Sequence, residues 1–282
     1  MTTLIKYVTV SILFLLPMVL KAEVRFKQIA QFDIPEAKQG IAVDRDYFYA
    51  VDNRAIAKYW KHSGRLVTRW EARPGGPIIH LDSAVAIDGK IYAAHSNWPH
   101  LPIGSSVEIW NASTLQHIRT HRLDRPEWGS LTWLDYHDGC WWGTFAHYDR
   151  VGPDGKPYGG GKSKAILAKF DSDWNLLQSW TFPADVLQKF GAMSNSGGSW
   201  GPDGFLYVTG HDLAEIYKMQ IPHAGTVLDW VGTLPLNIRG QGIAWDRHAG
   251  NALYGIIRAT DEEVRRGVSN QVVVFRSGIK SR

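Results

Sequence analysis

Four histidines, His80, His95, His147 and His211, stand out in a chain with little other obvious chemistry. Three have a carboxylate close by: Asp82 and Asp149 each follow a histidine by two positions, and Asp212 adjoins His211. Neutral imidazole suits zinc, manganese, iron or copper, and a metal ion can be held by donors far apart in sequence. On this reading the four histidines ligate a divalent or transition metal. Asp82, Asp149 or Asp212 then orients a ligand ring or acts as base toward a bound water, and Arg258 anchors a substrate carboxylate. Gln39, Asn53, Asn97, Trp98, Asn195, Arg239 and Gln241 complete the candidate set as hydrogen-bonding or stacking groups for a substrate. The competing reading is that loop His and Asp residues cap turns and bond neighbouring backbone.

These residues are spread over some two hundred positions, so the fold must gather them. A repeat supplies the means. GIAVD ends at Asp44, SAVAID at Asp88, SLTWLD at Asp135, GSWGPD at Asp203 and GIAWD at Asp246, at intervals of 44, 47, 68 and 43 residues. Each opening leads through a turn into a second apolar run (YFYAV, IYAAH, CWWGTF, FLYVT, ALYGII), and third and fourth runs follow in most copies. Four short strands recurring about every 45 residues is the period of a β-propeller blade. The fifth copy lacks a fourth strand, and VRFKQIAQFDI near the N-terminus is placed to supply it and close the ring. The expected fold is therefore all-β, a five-bladed propeller, with six blades as the alternative if the 68-residue interval hides another. That interval holds a polar insertion, Val151 to Lys164. Only Pro183–Phe190 and Asp261–Arg266 read as helices.

In such a ring the loops that lead into first strands and leave second strands share one face. The candidate residues fall in those loops, so they are expected to meet at the mouth of the central channel, with Trp98, Trp128 and Trp200 nearby. His137 and His248 fall in turns on the opposite face. His62, His117 and His121 fall on outer strands or turns, and all five are expected to be solvated.

Residues 1–22 read as a signal peptide, with Lys6 before an apolar stretch too short to span a membrane and Ala22 before the cut. Residues 23–282 then form a single propeller domain, periplasmic or secreted, with no stable membrane insertion after cleavage. The formal net charge is +4, about +2 once Lys6 and Lys21 are removed, and no basic stripe points to nucleic acid. Cys140 is the only cysteine, so no internal disulfide braces the fold. GGSWG (Gly197 to Gly201) matches a serine-nucleophile pattern, but Pro202-Asp203-Gly204 and a strand follow where that mechanism needs a helix.

QGIAVDRDYFYAVDNRAIAKYWKHSGRLV and GQGIAWDRHAGNALYGIIR resemble blades of the plant-type glutamine cyclotransferases, exported five-bladed propellers. That resemblance implies an acyl-transfer or cyclisation enzyme working by acid/base chemistry. Three functions are thus open: a metal-dependent hydrolase or lyase acting on a small or oligomeric substrate at the channel mouth, a cyclotransferase-like enzyme, or a non-catalytic propeller that binds a ligand or assembles with partners.

Overall fold

A computed structural model describes residues 26–279, apart from Asp124 and Pro153. The signal-peptide reading lies outside the described residues. Five four-stranded antiparallel sheets form the ring. β1 (Phe26–Asp33) precedes blade 1, which comprises β2 (Gly40–Val43), β3 (Tyr47–Asp52), β4 (Ala55–Trp60) and β5 (Leu66–Glu71). Blade 2 comprises β6 (His80–Ile87), β7 (Lys90–Ser96), β8 (Ser105–Asn111) and β9 (His117–Leu123). Blade 3 comprises β10 (Ser130–His137), β11 (Cys140–Ala146), β12 (Ile166–Phe170) and β13 (Leu176–Thr181). Blade 4 comprises β14 (Gly197–Trp200), β15 (Leu206–Thr209), β16 (Glu215–Gln220) and β17 (Asp229–Pro235). Blade 5 is β18 (Ala244–Asp246), β19 (Ala252–Ile257) and β20 (Gln271–Ser277), completed by β1 in register from Phe26↔Ser277 to Asp33↔Gln271.

The alternative of six blades is ruled out. The long third interval holds the insertion between β11 and β12, then α1 (Ala184–Lys189) after β13, and no further sheet among the described residues. The second helix, α2 (Asp261–Arg265), starts with a capping box in which Thr260 and Glu263 satisfy each other's backbone N–H.

The repeated aspartate has a structural reason. At the end of the first strand its carboxylate takes the N–H groups of the following turn and the hydroxyl of a second-strand tyrosine. Asp44 accepts from Asp46 N, Tyr47 N and Tyr49 Oη (2.9, 2.7 and 2.6 Å). Asp203 accepts from Phe205 N and Tyr207 Oη and binds Lys218 Nζ at 2.7 Å. The other three blades depart from this. Asp246 takes the turn N–H groups of His248 and Ala249 but no tyrosine hydroxyl among the described residues, and Asp135 accepts from Ser199 and Trp200 of blade 4. Asp88 and Gly89 form a two-residue hairpin turn with φ of 47° and 71°, the left-handed geometry that Asp-Gly favours.

Apolar clusters fill the wedges between blades, and most tryptophans belong to them. Trp142 and Trp180 stand between blades 3 and 4, and Trp141 stacks on Trp174 between blades 2 and 3. The first strands pack closely around the axis. A Cβ on Gly40 would lie 2.7 Å from Ser83 Cα, and one on Gly242 2.7 Å from Gly40 Cα. Only a void of about 10 Å³ remains there, and Arg247 reaches across from blade 5 to Asp135 of blade 3 beside it. Any site on the axis is therefore a mouth on one face.

Candidate functional site

Asp82 is the centre of the histidine-bearing mouth. It lies near the start of β6, buried, with Oδ1 3.5 Å from His80 Nε2 and with no donor to Oδ2 among the described residues. Its charge acts on groups from three blades: His80 and His95 of blade 2, Tyr148 of blade 3 and His211 of blade 4. Burial by itself would lower the His80 imidazole. The Asp82 charge and hydrogen bond, helped by Asp52, outweigh burial and raise it above the ordinary 6.5. Burial raises the Tyr148 phenol, with Asp82 adding to it, so that group stays protonated.

His211 follows β15 and is held from below. Gly240, at φ 56°, lies so close that a Cβ would stand 2.3 Å from the His211 carbonyl carbon. Gln241 N donates to Gly210 O, and Gln241 Nε2 donates to His211 O. His211 Nδ1 lies 2.7 Å from Asp212 Oδ2, and Arg258 Nη2 lies 3.4 Å from the ring nitrogens and 3.3 Å from Asp212 Oδ1. Burial first, then the Arg258 charge, lowers His211 against the opposing pull of Asp212 and Asp82. The surroundings of the mouth thus favour the protonated form of His80 and the neutral form of His211.

The other candidates are committed elsewhere. His95 Nε2 accepts from Ile79 N (3.3 Å), which leaves the proton on Nδ1, 2.8 Å from Ser106 Oγ; Ser106 in turn donates to Glu108. His147 is 3% exposed and sealed beneath the insertion, where a Cβ on Gly159 would stand 2.0 Å from its Nδ1. Asp149 secures that insertion, accepting from Lys162 N at 3.0 Å and pairing with Lys162 Nζ at 3.2 Å. Asn97 closes its own loop by bonding Gly104 N and Pro102 O, and Trp98 packs between Tyr148 and Tyr158 at 4.6 and 4.3 Å. Asn195, fully buried, spends its amide on Trp133, Gly197 and Thr209. Gln39 donates to Asn53 at 2.6 Å, and Arg239 binds Glu263 through both guanidinium nitrogens.

Among the described residues no group of three or more His, Cys, Asp or Glu side chains could hold an ion. His95 has both ring nitrogens engaged, whereas His147, buried, leaves Nδ1 without a partner among the described residues.

Tyr148 was missing from the sequence-based set although it adjoins His147. Beyond the end of β11 the strand alternation stops, and only the path of the insertion decides which neighbour is turned toward Asp82. Three histidines expected to be solvated are also engaged: His117 lies 2.7 Å from Glu108, His121 stacks on Trp174, and His137 stacks on Trp200. Trp128 packs edge-on to Phe145. Trp200 ends β14 at the face opposite the mouth, because the strand begins at the mouth with Gly197.

No family model matches the chain, and no curated protein does. Solved structures with a similar fold include the WD40 repeats of RRP9 (TM-score 0.45, 12% identity, 84% of this chain and 79% of that one). Hydrazine synthase of Kuenenia stuttgartiensis gives 0.45, 11%, 86% and 72%. The subtype N11 neuraminidase-like protein of A/flat-faced bat/Peru/033/2010 gives 0.45, 12%, 86% and 74%. The specific likeness to glutamine cyclotransferases has no counterpart among these findings. Ala50, fully buried, directly follows Tyr49, where that group carries an acidic residue, and the nearby Asp52 is paired with Lys38 at 2.8 Å.

Proposed function

We propose that this is an exported propeller whose mouth binds a small polar molecule and acts on it by proton transfer, as a hydrolase or lyase does. The ligand carries a donor such as an ammonium or amide for Asp82 and an anionic group for Arg258. His80 is the general acid and His211 the general base. The observation that carries this reading is Asp82: a buried carboxylate with one oxygen lacking a donor among the described residues, beside a histidine whose protonated form its charge favours. A buried acceptor without a partner is costly, and a ligand donor would offset that cost. Two titratable groups whose environments push them apart make a usable acid and base.

The test is a thermal-shift screen of amino acids, hydroxy acids and short peptides, glutaminyl peptides included, followed by a turnover assay on each hit. At least one compound is expected to raise the Tm of the wild type and to lose that effect in Asp82→Asn and Arg258→Gln. If no compound stabilises the wild type, or Asp82→Asn responds equally, the reading is wrong. Ammonia release from a glutaminyl peptide would favour the cyclotransferase chemistry, and stabilisation with no turnover of any compound would leave a binding protein.

A further inference from the structure

A cavity of about 560 Å³ opens on the face opposite the histidine mouth. It lies across the turns joining the first and second strands of blades 3, 4 and 5, and His137, Trp200, Trp245, Arg247 and Asn251 line it. Three of these residues carry an unsatisfied polar atom. The indole N–H groups of Trp200 and Trp245, 7% and 3% exposed, have no hydrogen-bond acceptor among the described residues, and Asn251 Oδ1 has no donor. Each such group costs about 1–3 kcal/mol when left unpaired. Edge contacts with Trp142 (4.8 Å, 63°) and Tyr207 (5.3 Å, 65°) are weak substitutes. Trp110 and Trp180 also lack acceptors among the described residues, but neither lines this cavity. Trp200 and Trp245 line one cavity together with the unpaired amide oxygen of Asn251.

The lining also says what charge the occupant has. Arg247 is paired with Asp135, and Asp246 with Lys61 at 2.7 Å. Burial lowers His137, so its ring is neutral near pH 7, and it stacks on Trp200 at 4.4 Å and 10°. Asp138 lies at the rim, its side chain 83% exposed and its Oδ2 3.3 Å from His137 Nε2. The lining therefore combines aromatic rings with two unpaired donors and one unpaired acceptor, and its inner charges, Arg247 and Asp246, are paired. A hydroxyl both donates and accepts, and the C–H face of a sugar ring packs on aromatic rings. We propose that this cavity is a binding site for a neutral carbohydrate, held by the indole N–H groups of Trp200 and Trp245 and the amide of Asn251.

The purified full chain is titrated with neutral mono- and disaccharides of glucose, galactose and N-acetylglucosamine, followed by tryptophan emission and by calorimetry. At least one saccharide is expected to give a saturable change. Its affinity should fall about tenfold in Trp200→Phe and in Asn251→Gly, each of which deletes one hydrogen bond. Asp82→Asn should bind it like the wild type, which separates this site from the mouth. Asn251 has φ 63°, which glycine adopts freely, so Asn251→Gly keeps the test valid if Trp200→Phe loosens the fold. No saturable response to any of these saccharides, or wild-type affinity in Asn251→Gly, overturns the proposal.

Discussion

His80 and His211 begin from the same ordinary value of 6.5 and are pushed in opposite directions by their surroundings. Asp82 and Asp52 raise His80, whereas burial and Arg258 lower His211. An activity that needs His80 protonated and His211 neutral would be bell-shaped in pH, with its optimum between the two shifted values. Proton-detected titration of both rings checks this directly. His80 should titrate above His211, and Asp82→Asn should bring His80 down, because burial is then opposed only by the smaller pull of Asp52. The sign also sets a stability effect. A raised folded value means that the His80–Asp82 pair stabilises fully below the unfolded pKa, and this contribution is lost as pH rises through the folded value. Wild type and Asp82→Asn should therefore differ more in Tm at mildly acidic pH than at pH 8; an equal difference at both would contradict the pairing. Metal content is a separate test of the mouth. Elemental analysis should find no stoichiometric zinc, manganese, iron or copper, because both ring nitrogens of His95 are engaged. Stoichiometric metal that is lost in both His80→Ala and His211→Ala would require the mouth to rearrange into a ligand cluster.

The blades were legible because an aspartate stands at or near the end of each first strand, where it shapes the turn or ties the strand to its neighbours. Asp203 joins a turn N–H, Tyr207 and Lys218, and Lys218 also lies over the Phe205 ring at 3.8 Å. Asp44 and Asp246 likewise take the N–H groups of the following turn, Asp88 forms a hairpin turn and Asp135 bonds blade 4, so a period can be read without any alignment. The mouth-forming loops have no such constraint. Asn195 and Arg239 were expected to face a substrate, yet one props up Trp133 and the other fastens α2 through Glu263. Spacing reveals which loops converge, whereas the side a loop residue faces depends on packing from distant blades. The strength of the aspartate device can be measured in denaturant. Tyr207→Phe removes one hydrogen bond and should cost about 1 kcal/mol. Asp203→Ala leaves Lys218 charged, largely buried and without its carboxylate, and should cost about 3 kcal/mol or more. If Asp203→Ala proves no worse than Tyr207→Phe, the repeated aspartate is only a turn former.

At the scale of the whole molecule, stability depends on joining the two ends of the chain. β1 is mostly exposed along its length, so its contribution is chiefly the ladder to β20. The join continues past the strand: Ile34 N donates to Asn270 O, Asn270 Nδ2 to Pro35 O at 2.6 Å, and Gln271 Nε2 to Asp33 Oδ1 at 2.9 Å. Inside it, Phe32 packs against the cluster between blades 5 and 1, and Phe26 meets Trp245 at 6.1 Å. Without β1, β20 would become a bare edge carrying the apolar run Val272 to Phe275, and such edges pair with other chains. Deleting residues 26–33 should therefore do two things. Unfolding should begin at blade 5, with hydrogen exchange rising first in β18, β19 and β20, and the variant should self-associate at concentrations where the wild type is monomeric. The alternative is that the wedge clusters alone hold the ring, in which case the deletion would leave exchange in blade 5 unchanged and the melting cooperative. The saccharide cavity offers an internal check, since Trp245 and Asn251 both belong to blade 5. If closure by β1 is what keeps that blade in place, the deletion should abolish saccharide binding while leaving the Trp141–Trp174 wedge between blades 2 and 3 packed.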